Sequence, residues 1–136
     1  MIVCGLEMYA SEVRLVVLEG CKAQFQHVNR APRRLSLADD ENRDEIRAFR
    51  DSLYAFFREN RVEHIVVKKR NKRGEYAGGP VGFKMEAVSQ LYLACAVDLV
   101  TPQAVAAAIR RNQPNQPATL RGYQKHAFET AYCALP

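Results

Sequence analysis

The sequence lacks the patterns that mark zinc-binding, disulfide-rich and membrane-spanning proteins. Its four cysteines, Cys4, Cys21, Cys95 and Cys133, form no Cys-x-x-Cys pair, and no histidine lies at zinc-ligand spacing from them. Their neighbours are mostly apolar, which is typical of reduced, buried thiols in a cytoplasmic protein. No apolar run approaches the roughly 20 residues of a transmembrane helix. No basic region followed by a long apolar one opens the chain, so we expect neither a signal peptide nor contact with a membrane.

The charge of the chain is modest in total but concentrated in one segment. The 136 residues include 20 Lys or Arg and 15 Asp or Glu, which gives a net charge of +5. Segment 61–84 holds seven basic and two acidic residues, so its excess equals that of the whole chain. The basic residues are Arg61, Lys68, Lys69, Arg70, Lys72, Arg73 and Lys84. A concentrated patch of this kind suits a polyanion better than a scattered excess does.

The hydrophobic pattern predicts the order βββ-α-β-α-β-α-α in a single domain, residues 1–136. The predicted strands are 2–8, 12–19, 22–29, 64–68 and 96–100, and 30–37 is predicted to be a basic loop. The predicted helices cover 39–60, a stretch opened by Gly79-Pro80, 102–111 and 119–134. This order fits an α/β fold: a five-stranded mixed sheet, three antiparallel strands and then two parallel ones, with helices on both faces.

Apolar stripes on the helices indicate which side chains pack inward. In the first helix the stripe is Ile46, Phe49, Leu53 and Phe57. Tyr54 and Phe56, together with Phe57 at the margin of the stripe, are expected to give this helix extra aromatic surface. The predicted stripe of the second helix is Val81, Met85, Val88, Tyr92 and Cys95. The predicted stripe of the last helix is Leu120, Tyr123, Ala127, Ala131 and Ala134.

Two short stretches resemble a known superfamily. The opening "VCGLE" puts an acid at the end of an apolar strand, and "HAFETAYCA" is similar to the final-helix motif of Holliday-junction resolvases. Nearly the whole chain resembles an uncharacterised bacterial family of the ribonuclease H-like superfamily. The stretches that carry this second resemblance are "CGLE", "LSLADDE", "AGGPVGFKMEA" and "FETAY". The resemblance implies a ribonuclease H-like fold.

The resemblance also implies metal-assisted phosphodiester hydrolysis, with Mg²⁺ or Mn²⁺ as the cofactor. The residues that match its metal-binding and catalytic positions are Glu7, His126 and Glu129. Carboxylate oxygens are the ligands that Mg²⁺ prefers, and a histidine can replace one of them. The alternative is structural: Glu7 would lie on the polar side of an alternating strand, and the other two on the solvated face of a helix.

One departure from the resolvase pattern weakens the prediction of an enzyme. Resolvases carry another acid at the end of the fourth strand, where this chain has Lys68 and Lys69. Two ammonium groups there would repel metal ions. Glu75 and Glu86 are near in sequence but do not fit the motif position. The metal site is therefore predicted to be incomplete.

The basic run predicts contact with the phosphates of DNA or RNA. The residues expected to make it are Lys68, Lys69, Arg70, Lys72, Arg73 and Lys84. The alternative is a solvated loop whose charge discourages pairing between sheet edges. The glycine-rich turn, which contains Gly74, Gly78, Gly79 and Gly82, does not have the P-loop sequence. Its glycines could allow backbone amides to approach a phosphate. The alternative is a flexible turn that needs glycine for positive φ.

The predicted function is therefore a nucleic-acid-associated protein, either a weak metal-dependent nuclease or a degenerate one that binds without cleaving. The alternative is an interaction or scaffold protein with no nucleic-acid role, forming a homodimer through the aromatic surface of the first helix. Binding of a nucleotide at the glycine-rich turn is the third possibility.

Overall fold

A long antiparallel hairpin begins the chain and forms the centre of the sheet. The computed structural model describes residues 1–73 and 79–136. The hairpin consists of β1 (Ile2–Tyr9) and β2 (Glu12–Gly20), joined by Ala10 and Ser11. Ala10 has a positive φ of 52°, as a two-residue hairpin turn requires. The register pairs Glu7 with Arg14 and Tyr9 with Glu12, so these four side chains lie on one face of the sheet.

The remaining strands extend the sheet on both sides of this hairpin. They are β3 (Phe25–His27), β4 (Arg34–Ser36), β5 (His64–Lys68) and β6 (Ala96–Val100). The strand order is β3-β2-β1-β5-β6, and β4 also pairs with β2. Strands β1, β5 and β6 are parallel to one another, whereas β2 is antiparallel to β1, β3 and β4. The predicted mixed α/β sheet is thereby confirmed.

Helices pack on both faces of the sheet and separate two apolar cores. The helices are α1 (Arg43–Glu59), α2 (Pro80–Gln90), α3 (Pro102–Asn112) and α4 (Lys125–Ala134), with a short 3-10 helix at Gly122–Gln124. One core joins Leu6, Leu15 and Ile65 to α1 and α2. The other joins Val3, Val16 and Val66 to α4. No helix in the described part of the chain is long and apolar enough to cross a bilayer.

Local signals explain where the helices begin. The Asn42 side chain accepts hydrogen bonds from the backbone amides of Asp44 and Glu45, which caps α1. Thr101 caps α3 through Ala104 in the same way. Pro80 and Pro102 each occupy the first turn, where a missing amide costs nothing.

Residues 1–73 and 79–136 form six strands rather than the five predicted. The predicted third strand, 22–29, is reduced to β3 because residues 21–24 make a turn closed by hydrogen bonds between Cys21 and Gln24. Segment 30–37 is not only a loop, since β4 lies within it. A three-residue strand shows a single polar-apolar-polar alternation, Arg34-Leu35-Ser36, which is too short to indicate a strand by its pattern.

Three helix predictions also differ from the structure. The first helix begins at Arg43 rather than at 39, because Asn42 caps it. The last helix begins at Lys125 rather than near 119, because the Gln124 side chain accepts a hydrogen bond from the Arg121 amide and closes a separate turn. Helix α2 ends at Gln90, before Tyr92 and Cys95.

The prediction of an aromatic surface on α1 was wrong. Phe56 and Phe57 are only 3% and 1% exposed, because α1 buries a wider stripe than its 3–4 spacing indicated. The Tyr54 hydroxyl donates a hydrogen bond to the Val88 carbonyl oxygen. The first helix therefore presents no aromatic patch through which a dimer could form.

Candidate nucleic-acid interface

A polar pocket lies at the carboxyl ends of β1 and β5. The two strands run parallel, so these ends meet at one edge of the sheet, where open α/β folds bind their ligands. The pocket has a volume of about 280 Å³. Its lining residues are Glu7, Met8, Lys68, Lys69, Arg70, Asn71 and Pro102. One carboxylate therefore shares this pocket with three basic residues.

A second cleft adjoins the pocket and continues the positive surface. It has a volume of about 330 Å³ and is lined by 69–73 and 101–103, so it reaches the first turn of α3. Four residues line both spaces: Lys69, Arg70, Asn71 and Pro102. We call the combined surface the basic groove, defined as residues 7–8, 68–73 and 101–103. Five of the six predicted phosphate contacts lie on it.

Arg70 is bound within the protein and differs in this respect from its neighbours. Its Nη1 donates a hydrogen bond to the Met8 carbonyl oxygen at the end of β1. Its side chain also lies against Gly82 in the first turn of α2, where a Cβ would come within 2.6 Å of the Arg70 Cζ. Arg70 therefore joins the segment after β5 to β1 and α2. One nitrogen of its guanidinium is already used in a hydrogen bond within the protein.

Lys84 lies outside the basic groove. Its Nζ is 3.0 Å from the Asp40 carboxylate and donates to the Asp40 carbonyl oxygen at 2.7 Å. The structure thus joins Lys84 to the segment before α1, and Asp40 balances its charge. Of the predicted glycine-rich turn, Gly74 and Gly78 lie outside the described residues, and Gly79 is the N-cap of α2.

Glu7 is a buried carboxylate beside an arginine. It is 8% exposed and belongs to the sheet face that α4 covers. Arg14, its partner across the hairpin, places Nη1 3.8 Å from Glu7 Oε1. That oxygen is buried, and no hydrogen bond from the described residues reaches it. The nearest balancing charge for Glu7 is thus a guanidinium.

His126 and Glu129 lie on the first turns of α4, at the same end of the sheet as Glu7. His126 Nδ1 is 3.9 Å from Glu129 Oε1. The histidine side chain is 52% exposed, whereas that of Glu129 is 16% exposed. Glu129 Oε1, like Glu7 Oε1, is buried without a hydrogen bond from the described part of the chain. The structure pairs these two predicted ligands with each other.

The donor set does not fit the two-metal centre that the resemblance implies. Among residues 1–73 and 79–136, no three His, Cys, Asp or Glu side chains come together closely enough to hold a metal ion. The Arg14 guanidinium beside Glu7, and Lys68 and Lys69 in the same pocket, add positive charge where metal ions would need negative charge. The buried oxygens of Glu7 and Glu129, which have no hydrogen-bond partner among the described residues, favour a cation.

Tyrosine and arginine side chains alternate in a row that the sequence pattern did not indicate. The Arg14 Cζ lies 4.0 Å from the ring centroid of Tyr9 and 5.8 Å from that of Tyr123. The Arg34 Cζ lies 4.7 Å from the Tyr123 centroid. The contact between Arg14 and Tyr9 could have been predicted from the sequence. A two-residue turn at 10–11 places Arg14 across from Glu7 and diagonal to Tyr9. Tyr123 and Arg34 come from segments whose structure the pattern did not predict.

The four cysteines are free thiols, as the sequence predicted, but only Cys4 is buried, whereas Cys21, Cys95 and Cys133 are partly exposed. Burial raises the pKa of the Cys4 thiol far above its usual range, with a further contribution from Cys95. Burial also raises the pKa of Cys95. Neither thiol lies on the basic groove.

Comparisons with known proteins agree with the resemblance seen in the sequence. The profile of a family described as "Protein of unknown function (DUF3010)" matches residues 1–134. The chain belongs to this family. No curated protein matches the DUF3010 chain in sequence.

Two solved structures of RuvC from Thermus thermophilus resemble the DUF3010 chain in fold. One is RuvC in complex with a Holliday junction substrate, with a TM-score of 0.70 at 14% identity over 98% of this chain and 91% of RuvC. The other is RuvC alone, with the same TM-score and identity over 98% of this chain and 92% of RuvC. At this identity the likeness shows the fold alone. It confirms the predicted ribonuclease H-like α/β fold.

Proposed function

We propose that this protein binds the phosphate backbone of a nucleic acid in the basic groove, without metal-dependent cleavage by the residues described. The observation that carries the proposal is the position of Lys68 and Lys69. They line the pocket at the carboxyl ends of β1 and β5, together with the buried Glu7. Cations at this edge would meet the phosphates of a bound strand and would oppose the binding of metal ions.

The chemistry of the groove supports a polyanion as the ligand. Lys69, Lys72 and Arg73 are exposed, and among the described residues no carboxylate lies within ion-pair distance of them. Each phosphate that such a cation neutralises releases a counterion from duplex DNA, which makes affinity depend on salt. Backbone contacts of this kind give little sequence preference. RuvC, which shares the fold, was solved with a Holliday junction substrate, and this supports DNA as the first ligand to test.

The test is the salt dependence of binding to a labelled DNA duplex. Replacing Lys69 and Lys72 by Gln should weaken binding to unrelated sequences alike. It should also reduce the slope of log affinity against log salt by about 1.8, because each phosphate contact contributes about 0.9. The matched control replaces Arg110 and Arg111, which lie exposed at the far end of α3, by Gln. Both variants lose the same charge.

The proposal requires the two variants to differ. If both lost affinity equally, the binding would reflect net charge rather than the groove. If the unaltered protein showed no salt-dependent binding to DNA or RNA, the proposed function would be wrong.

A second candidate function, self-association, is supported by a different surface. Strand β6 lies at one end of the strand order and pairs with β5 alone among the described strands. Leu91 and Leu93 before it are 68% and 96% exposed, and Leu99 within it is 36% exposed. A free edge with apolar side chains can pair with the same edge of a second copy. Sedimentation of the unaltered protein and of a Leu93→Ser variant tests this: a salt-independent dimer that the variant abolishes would favour it.

A further inference from the structure

The end of the hairpin carries an aromatic surface beside the basic groove. Tyr9 is the last residue of β1 and directly follows Met8, which lines the groove. Helix α4 covers the same sheet face at Val3 but begins only at Lys125, and the Tyr9 side chain is left 55% exposed. An exposed tyrosine ring therefore stands at the margin of the groove.

Two arginines hold the aromatic rings in place. Arg14 lies over Tyr9 at 4.0 Å, and Arg34 lies over Tyr123 at 4.7 Å, both within the range of cation–π contacts. Glu12 Oε2 lies between the two guanidinium groups, 3.7 Å from Arg14 Nε and 3.9 Å from Arg34 Nη1. A side chain fixed before binding loses less conformational entropy when a ligand arrives.

The charges within this row balance. Arg14 and Arg34 face Glu7 and Glu12, so the row adds no net positive charge to the groove. Its contribution to binding would come from the surface of the rings rather than from attraction to phosphate. Such a contribution depends little on salt, in contrast to that of the lysines.

We infer that Tyr9, backed by Arg14, is a stacking platform for an unpaired base of a nucleic acid whose backbone lies in the basic groove. The inference rests on the proposed function. Every base has a flat aromatic face, so stacking on tyrosine tolerates any sequence, and bases in single-stranded regions are free to use it. The ligand class is then a nucleic acid with unpaired bases next to a duplex or within a single strand, rather than an uninterrupted duplex.

The experiment compares two labelled DNAs of equal length, a full duplex and the same duplex with a short unpaired gap. The unaltered protein should bind the gapped DNA more tightly. Tyr9→Ala should weaken binding to the gapped DNA about tenfold, leave binding to the duplex unchanged and leave the salt slope unchanged. Tyr9→Phe keeps the ring and should behave like the unaltered protein. Gln116→Ala, which trims an exposed, uncharged side chain in the loop after α3 and away from the groove, is the control.

A second measurement does not depend on the stability of a variant. Binding of gapped DNA to the unaltered protein should shift the NMR signals of the Tyr9 ring, while those of the half-buried Tyr54 ring stay in place. Equal affinity for both DNAs, with no shift at Tyr9 but with salt-dependent binding retained, would overturn the platform and leave the proposed function standing. Absence of binding to either DNA would overturn both.

Discussion

Gly5 in β1 touches the backbone of α4 at Ala131. A Cβ on Gly5 would lie 2.5 Å from the Ala131 amide nitrogen and 2.8 Å from the Ala131 Cβ, and it would also collide with the Ala127 carbonyl oxygen. Strand and helix meet this closely because neither has a large side chain at the contact. The contact sets the height of α4, and with it His126 and Glu129, above the sheet.

Replacing Gly5 by Ala should therefore destabilise the protein. The atoms in the way belong to the backbone, so α4 would have to move, at a cost of about 1–3 kcal/mol or more. Denaturant unfolding measures this cost. Gly122→Ala is the control, because no described atom lies within 4 Å of the added methyl group. Equal stability of the two variants would mean that α4 is not seated on Gly5.

Arg70 and Lys69 are neighbours with different expected effects. Arg70→Gln removes the hydrogen bond to the Met8 carbonyl oxygen and should lower the free energy of unfolding by about 1 kcal/mol. Lys69 is exposed, so Lys69→Gln should leave stability almost unchanged and lower the salt slope of DNA binding. Denaturant unfolding and binding, measured on both variants, separate the two roles. A loss of stability in Lys69→Gln alone would contradict them.

The predicted metal ligands Glu7, His126 and Glu129 can be tested without any assay of cleavage. We expect that Mg²⁺ produces no saturable NMR shift at their amides, because Arg14 lies 3.8 Å from Glu7 and no third ligand joins the pair on α4 among the described residues. Mn²⁺ should likewise cause no localised broadening. Saturable changes confined to these three positions would show that the site assembles, and nuclease assays on branched DNA would then be warranted.

His27 should make stability depend on pH. Burial, and then the charge of Arg33, hold its pKa below the usual 6.5. The unfolded chain therefore binds the proton more readily than the folded protein does. This contribution is present above pH 6.5 and is lost as the pH falls through that value towards the lower pKa of the folded state.

Thermal unfolding at several pH values checks this prediction. The unaltered protein should lose more stability on acidification than a His27→Gln variant does. Gln can still bond to the Thr119 hydroxyl, which lies 2.7 Å from His27 Nδ1, but it cannot bind the proton. Parallel curves for the two proteins would show that His27 does not contribute.

The sequence predicted the elements that carry strong local signals. The bounds of β5 and β6 were predicted as observed, and α3 was predicted to within one residue, because Thr101-Pro102 and a short apolar run mark them. The position of Lys68 and Lys69 near Glu7 was implied by the resemblance to resolvases, and the three residues do line one pocket. The strand and helix bounds depend on neighbours in the chain, whereas this position was inferred from the shared motif.

The features that were missed depend on contacts between distant segments. Strand β4 exists because Leu35 pairs with Val13 and the Leu15 amide bonds to the Arg33 carbonyl oxygen. The burial of Phe56 depends on how deeply α1 sits on the sheet. The contacts of Arg70 with Met8 and Gly82 join positions 62 and 12 residues away, beyond the reach of any local pattern.

The two-residue turn at Ala10 and Ser11 has a wider effect than closing a hairpin. It fixes which residues of β2 stand opposite Glu7 and Tyr9. Side chains alternate between faces, so one residue inserted there would send Arg14 to the opposite side and bring Val13 or Leu15 in its place. Glu7 would lose the nearby Arg14 guanidinium, and Tyr9 would lose the same guanidinium from the face of its ring. The length of a surface turn thus decides whether the charge of Glu7 at this end of the sheet is balanced by Arg14 or left unbalanced.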